Sequence, residues 1–189
     1  MGPETALEQR VKALEGEVGE LRKQLAEKTP SNQVSLILFS GEWDRLFAGL
    51  TIASGALAMG HEVHLFFTFW AVSALRCKGK ACSEGKEFSQ SMIGSMLPEG
   101  LSGAKLSKMH FMGLGKMMMR RLMKKHGVED LDSLMKDVRH LGAHFHLCET
   151  SSGLFGLKAE ELEQGDAIDR CGVATFLGHA FKSRIVLFI

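Results

Sequence analysis

The sequence predicts an α/β fold: a three-layer α/β/α sandwich with a mainly parallel sheet of about five strands, preceded by an N-terminal coiled-coil helix. Short apolar runs alternate with helical segments over residues 32–189, the joins between them are short, and the spacing of apolar residues changes after residue 31. A strand, a helix and a second strand with short joins form a right-handed unit whose strands are parallel. We therefore divide the chain into a heptad helix with its linker, 1–31, and an α/β domain, 32–189.

The N-terminal segment carries a heptad pattern. Its apolar residues form two interleaved series with a spacing of seven, namely Leu7, Leu14 and Leu21 at position d and Val11, Val18 and Leu25 at position a. Mainly β-branched residues at a with leucine at d favour a parallel two-stranded coiled coil. Three heptads are marginal alone, so a single helix packed on its own domain is an equal alternative. Thr29 and Pro30 then begin a polar linker.

The α/β domain opens with a strand, a helix and a strand. Residues 34–39 and 62–69 are apolar runs typical of buried strands. Between them, Asp44 can cap a helix that continues to Met59 and ends at Gly60. The other predicted elements are loops over 78–85 and 98–103, a methionine-rich basic segment over 109–123, helices over 131–141 and 172–182, and strands over 143–148 and 184–189.

Composition and charge exclude several classes of protein. Lys and Arg number 23 against 22 Asp and Glu in 189 residues, so no overall positive field attracts nucleic acid. The chain starts with charged residues, and no run reaches the roughly 18 apolar residues of a membrane-spanning helix. The four cysteines are too few for a disulfide scaffold, which predicts a cytoplasmic protein with reduced thiols. Glycine-rich dinucleotide, P-loop, metalloprotease and hydrolase motifs are absent.

Cys148 is the candidate catalytic residue. Ligands of open parallel sheets bind beyond the carboxyl ends of the strands. Three segments follow predicted strands in this way, 40–43, 68–70 and 148–153. Only the third carries an obvious nucleophile, Cys148, and Thr150 or Ser151 can cap a short helix after it. Free N–H groups at a helix start favour the thiolate. The alternative is a small buried residue that closes the strand.

Four separated blocks of the domain share a family pattern and keep its order. They are Phe66-Phe-Thr-Phe-Trp-Ala71, Met112-Gly-Leu-Gly-Lys-Met-Met-Met119, Gly172-Val-Ala-Thr-Phe-Leu-Gly178 and Lys182-Ser-Arg-Ile-Val-Leu-Phe-Ile189. Together they resemble the DsrE/DsrF-like family of sulfur carriers and sulfurtransferases, in a subfamily sometimes labelled peroxiredoxin-like. The resemblance covers residues 34–189 and leaves out residues 1–31.

The resemblance implies a role for Cys148. In this family a cysteine at a strand end before a short helix carries the persulfide, and Cys148 occupies that place. The implied function is a sulfurtransferase-type relay of persulfide sulfur on this cysteine between sulfur-donor and sulfur-acceptor proteins. It needs no metal or organic cofactor, and homo-oligomers are implied as well. Many relatives have Met-Ser-Met after the cysteine, whereas Thr150-Ser-Ser152 here predicts a more polar pocket.

Two other functions fit the same residues. One is a non-catalytic α/β interaction module, in which Cys148 is structural while the coiled coil and the methionine-rich segment recruit partners. The other is a thiol peroxidase-like protein, which the lack of a C-x-x-C motif and of an evident resolving pair disfavours. Cys77 and Cys82 are separated by four residues in a predicted loop and are interpreted as incidental. Cys171 is the better candidate for a resolving thiol, although a structural role is favoured.

Two further patterns have a functional and a structural interpretation. His144, His146 and Cys148 alternate on one strand about 7 Å apart, and could bind zinc or copper if another element supplied a ligand. We favour packed histidines and predict no metal. Residues 116–125 combine methionines with five positive charges, which suits partner docking or peripheral membrane contact. The favoured alternative is a helix packed on the core.

Overall fold

The computed structural model describes residues 3–28, 31–79, 86–109, 111–163 and 168–189, with the side chains of the N-terminal helix described from 9 to 23. The chain divides into two units, Met1–Ser31 and Asn32–Ile189. Cys82 lies outside the described residues, so the interpretation of Cys77 and Cys82 as incidental stays a prediction.

The second unit is built on a five-stranded sheet. Its strands are β1 (Ser31–Leu38), β2 (Glu62–Phe67), β3 (His144–Cys148), β4 (Asp169–Cys171) and β5 (Ser183–Phe188). The spatial order is β4-β3-β2-β1-β5. The β1–β2, β2–β3 and β3–β4 pairs are all parallel. The predicted α/β sandwich with a mainly parallel sheet is therefore confirmed.

The first unit contains helix α1 (Pro3–Lys28). Helices of the second unit cover both faces of its sheet, and they are α2 (Trp43–Ala58), α3 (Phe88–Met96), α4 (Gly100–Gly103), α5 (Leu114–Lys125), α6 (Leu131–His140), α7 (Glu149–Leu154) and α8 (Val173–Ala180). Successive strand residues point to opposite faces. Phe67 accordingly joins the main core with α2 and α6, while Phe66 joins a smaller cluster with Phe176 of α8. None of the described helices is long and apolar enough to cross a bilayer.

Aspartates near the starts of α6 and α2 make different kinds of contact. The Asp130 side chain accepts a hydrogen bond from the Ser133 N–H, at 2.9 Å, and caps α6. The predicted cap of α2 is wrong. Helix α2 already starts at Trp43, and the Asp44 carboxylate instead accepts hydrogen bonds from the backbone N–H and the hydroxyl of Ser107. Asp44 therefore fastens the helix start to a distant loop.

The structure differs from the sequence prediction in three places. The apolar run 62–69 does not stay extended, because β2 ends at Phe67 and Phe69–Leu75 forms a buried 3₁₀ helix. Residues 98–103, predicted as a loop, contain the short helix α4. Strand β4 has only three residues and is held by pairing with β3, which its own polar sequence does not indicate.

A buried ion pair joins the start of α3 to the segment after α7. The Lys86 ammonium donates to both carboxylate oxygens of Glu161, at 2.8 and 2.7 Å. The two side chains are only 5% and 1% exposed. The backbone N–H of Lys158 also donates to Glu161 Oε2, at 2.9 Å. Solvent therefore screens the attraction between these two charges only weakly.

Helix α1 carries an uncovered apolar stripe. Among its described side chains, Val11, Leu14, Val18 and Leu21 are each about half exposed. These four residues belong to the predicted a and d series. The coiled coil itself stays a prediction.

Candidate functional site

The three segments predicted to follow strand ends meet at the carboxyl edge of the sheet. A Cβ atom on Gly41 would lie 2.6 Å from the carbonyl oxygen of Trp70, so only glycine permits this approach. On the other side, Ser151 Oγ lies 3.1 Å from Thr68 Oγ1. The Phe69 N–H donates to the same Ser151 oxygen at 2.9 Å. Backbone and hydroxyl contacts therefore tie the β2 end to the segment after β3.

Cys148 is the last residue of β3 and directly precedes α7. Neither Thr150 nor Ser151 caps this helix, because Cys148 itself occupies the cap position. Ser151 lies within the first turn instead, and its side chain points back to the strand ends, where it contacts Thr68. The local fold thus places two hydroxyl groups beside the thiol.

Hydrogen bonds determine whether the pKa of the Cys148 thiol lies above or below the usual value for cysteine. Burial raises the pKa of this thiol, but hydrogen bonds from the hydroxyls of Ser151 and Thr68 oppose it, together with backbone bonds from Ser151 and Thr150. The net result is a pKa below the usual value for cysteine. Hydrogen bonds to the charged form stabilise it, whereas burial penalises it. The arrangement can therefore hold a thiolate.

The Cys148 thiol is largely enclosed, since the residue is only 7% exposed. Phe66 from β2 and Phe176 from α8 form a small apolar cluster with it, and Cys171 completes that cluster. The enclosure follows from α8 packing on this face of the sheet, next to the carboxyl edge.

Cys171 lies beside Cys148. The two are register partners in the parallel β3–β4 pair. Burial and the nearby negative charges of Asp169, Cys148 and Glu149 raise the pKa of Cys171 to about 11. The neighbouring strand therefore supplies a second thiol that stays protonated at neutral pH. Cys77 is elsewhere, with its N–H bonded to the Glu161 carbonyl.

The two serines after Cys148 provide a matched test of this electrostatic environment. Replacing Ser151 with alanine should raise the Cys148 pKa by about one unit, since a hydrogen bond to a charged group is worth about 1.5 kcal/mol. The thiolate is the reactive form, so the alkylation rate would then rise at a higher pH. Ser152 is buried too, but its hydroxyl donates to the Glu149 carbonyl, and Ser152→Ala should leave the profile unchanged. Equal shifts in both variants would contradict this assignment.

The predicted histidine row lies on the same face of the sheet as Cys148, and other elements bring two more histidines to it. His64 from β2 and His146 from β3 face each other, with Nδ1 and Nε2 2.9 Å apart. The His179 ring from α8 stacks on His64 with centroids 4.0 Å apart, and the His144 ring also stacks on His64, at 4.7 Å. Burial lowers the pKa of His64 to about 4, and it also lowers that of His146.

Two carboxylates complete this cluster. Glu62 Oε1 accepts a hydrogen bond from His64 Nε2 at 3.0 Å, and Asp169 Oδ2 accepts one from His146 Nδ1 at 3.1 Å. Sequence reasoning missed His64, His179 and both carboxylates. The sequence offered one signal for Glu62 and His64, because they alternate on a predicted strand as His144 and His146 do. Side chains at matching positions of neighbouring parallel strands lie on the same face of a sheet.

The methionine-rich helix is a surface element. None of the residues of α5 is buried, and Met117, Met118 and Leu122 are about half exposed or more. Within the helix, Met123 is the residue that packs against the main core. A groove of about 640 Å³ runs between α5 and the Leu106–Met109 loop, and its lining combines methionine and leucine side chains with charged ones such as Arg121 and Lys125. The favoured interpretation of α5 as a core-packing helix is thus not supported.

The fold and the position of Cys148 place this protein in a class of α/β proteins that have a parallel sheet with a hydrogen-bonded cysteine at its carboxyl edge. The chain belongs to the DsrE/DsrF/DrsH-like family, whose sequence pattern matches residues 30–188. It is similar to the uncharacterized protein YrkE of Bacillus subtilis, with 39% identity over 84% of this chain and 98% of the relative. It is also similar to the sulfur carrier protein DsrE2 of Allochromatium vinosum, with 29% identity over 83% of this chain and 98% of the relative.

Proposed function

We propose that this protein carries sulfur as a persulfide on Cys148 and relays it between protein partners. The observation that carries the proposal is the hydrogen-bonded position of this thiol at the carboxyl end of β3, where Ser151 and Thr68 lower its pKa. Membership of the family and the similarity to a relative named as a sulfur carrier support the same function.

The sulfur relay requires two displacement reactions, one that moves sulfur from the donor to Cys148 and one that moves it from Cys148 to the acceptor. The Cys148 thiolate attacks the outer sulfur of a donor persulfide, a new S–S bond forms at Sγ, and the donor S–S bond breaks to release the donor thiolate. An acceptor thiolate then takes the outer sulfur by the same displacement and regenerates the Cys148 thiolate. No electrons are gained or lost overall, so neither a metal nor an organic cofactor takes part.

Access to the thiol is the main structural requirement. Phe66 and Phe176 enclose Cys148, so a donor sulfur reaches it only after one of these side chains moves. Phe176 belongs to the eight-residue helix α8, whose Val173 and Leu177 are exposed. Displacement of α8 by a partner protein is therefore the route that we favour. The exposed methionines of α5 offer a further docking surface for such partners, with peripheral membrane contact as the other use of its basic side.

We also propose that the protein forms homo-oligomers. The α1 stripe supplies one contact, and strand β5 supplies another, because it is an edge strand with Ile185, Val186 and Phe188 about half exposed or more. Exposed apolar edge strands pair readily with a further strand. The partner is a second copy of this chain.

Breaking the apolar seam of α1 tests the first of these contacts. Replacing Leu14 and Val18 with glutamate should lower the molecular mass measured by sedimentation, because charges at a and d positions oppose coiled-coil pairing. Glutamate at Gly16, on the outward side of the helix, is the matched control and should leave the mass unchanged. Deletion of residues 1–31 should lower the molecular mass of the assembly as the replacement of Leu14 and Val18 does. An unaltered mass in both the seam variant and the deletion would rule out assembly through α1.

One observation favours a second function, that of a thiol peroxidase-like protein. The register of Cys148 with Cys171 supplies the neighbouring thiol that a resolving step needs. The raised pKa of Cys171 argues against it, since the thiolate is the attacking species. Intact mass after treatment with inorganic polysulfide or with hydrogen peroxide separates the functions. A persulfide on Cys148 supports the carrier, a Cys148–Cys171 disulfide supports the peroxidase, and an inert thiol supports a non-catalytic interaction module.

A further inference from the structure

A buried cluster of imidazoles lies beneath α8, on the sheet face that also carries Cys148. One ring nitrogen from each of His64, His146 and His179 lies within 4.8 Å of the other two. The first two residues are 3% and 5% exposed, and the third is half-buried. They come from β2, β3 and α8, so the tertiary fold, and not a local motif, assembles the group.

The two carboxylates orient the buried rings so that nitrogens face each other. A carboxylate only accepts hydrogen bonds, so His64 Nε2 and His146 Nδ1 each carry the proton that Glu62 and Asp169 receive. The other nitrogen of each neutral ring then has a lone pair. Those two nitrogens, His64 Nδ1 and His146 Nε2, lie 2.9 Å apart. Two facing lone pairs repel each other unless a positive charge, either a proton or a metal ion, lies between them, and burial disfavours the extra proton by lowering the pKa of both rings.

We propose that His64, His146 and His179 form a binding site for a divalent transition-metal ion of the Zn²⁺ type. Neutral imidazole is a preferred ligand of Zn²⁺, Ni²⁺ and Cu²⁺, and a site with three histidines leaves a fourth position for water or another ligand. The Glu62 and Asp169 contacts are those that metal-bound histidines make in proteins, where a carboxylate fixes the ring orientation. The proposal departs from the sequence prediction of packed histidines without a metal.

Binding requires small movements in the site. Zinc–nitrogen bonds of about 2.0 Å in a tetrahedron place ligand nitrogens about 3.3 Å apart. The His64–His146 pair has to open slightly from 2.9 Å, and His179 has to turn inward from its stacked position. His179 lies in the last turn of α8, and its Nδ1 atom is 3.3 Å from Gln33 Nε2, a contact that this rotation has to rearrange.

The test uses the full-length protein, stripped of metal by a chelator and kept reduced, with Zn²⁺ as the probe. Competition with a chromophoric chelator should give one tight site per chain. Replacing His64 or His179 with glutamine should weaken binding by about 100-fold or more, and Asp169→Asn by about 10-fold, since an orienting carboxylate contributes less than a ligand. His126→Gln, an exposed histidine after α5, is the matched control and should bind as the native protein does.

Cysteines also bind zinc, so a second variant tests whether thiols form the site. A protein with both Cys148 and Cys171 replaced by serine should keep its affinity if the histidines hold the ion. Loss of binding in that variant, or unchanged binding in His179→Gln and Asp169→Asn, would overturn the proposal. Replacement by Co²⁺ gives an independent readout, because three-nitrogen ligation lacks the intense sulfur-to-metal absorption of a thiolate site. Neither measurement depends on whether Cys148 carries sulfur.

Discussion

Cys148→Ser should abolish the sulfur loading of this protein. In the native chain, incubation with inorganic polysulfide should add the mass of one sulfur atom at Cys148, because the thiolate held by Ser151 and Thr68 attacks the outer sulfur of the donor. A serine hydroxyl is not ionised at neutral pH and cannot form the S–S bond. Intact mass followed by peptide mapping measures the adduct and its position. Cyanide treatment of the loaded protein should then release the sulfur as thiocyanate.

Two other cysteines serve as controls for that experiment. Cys77→Ser removes a partly exposed thiol away from the carboxyl edge and should leave loading at Cys148 intact. Cys171→Ser removes the buried neighbour in the same apolar cluster and should also retain loading. Circular dichroism shows whether each variant has folded. If the Cys148→Ser protein acquires as much sulfur as the native chain does, the relay proposal fails.

Lys86→Met should destabilise the domain by about 3 kcal/mol. Breaking a buried ion pair by removing one partner costs about 3–5 kcal/mol, since the remaining charge stays out of water. The carboxylate of Glu161 is 1% exposed, and each of its oxygens accepts a short hydrogen bond from Lys86. The Lys158 N–H continues to donate to this carboxylate, so we expect the lower end of that range. Urea unfolding followed by tryptophan fluorescence gives the free energy of unfolding.

A surface ion pair of the same chain provides the comparison. Arg120 and Asp130 are 3.2 Å apart, and their side chains are 47% and 42% exposed. Exposed pairs contribute about 1 kcal/mol or less, so Arg120→Met should change stability only slightly. A similar small loss for Lys86→Met would show that the Lys86–Glu161 pair does not hold the two segments together.

Much of the fold could be predicted from local patterns. The strands of the first βαβ unit are continuous apolar runs, and Asp130 caps its helix through a contact only three residues away. The strand predicted over 62–69 extends past the end of β2 at Phe67, because the start of an apolar 3₁₀ helix has the same composition as a buried strand. Strand β4 was missed because Asp169-Arg-Cys171 forms a strand only by pairing with β3.

The candidate site was predictable only in part. Position at a strand end identifies Cys148, since that rule depends on chain order alone. The enclosing side chain of Phe176 and the partners of the histidine row depend on packing between distant elements. His64 and His146 are 82 residues apart in sequence, and no local spacing indicates that their nitrogens meet. The register that sets Cys171 beside Cys148 is likewise a property of the assembled sheet.

Helix α8 holds Phe176 and His179 one turn apart, the first against Cys148 and the second against His64. A displacement of this helix that uncovers the thiol also withdraws the third imidazole from the cluster. Thermodynamic linkage makes the two effects reciprocal. A metal ion bound to His179 lowers the affinity of the protein for any partner that must displace α8. That partner lowers the affinity for the metal ion by the same factor. Metal binding at the histidine cluster and sulfur transfer at Cys148 would thereby be coupled through the eight residues of helix α8.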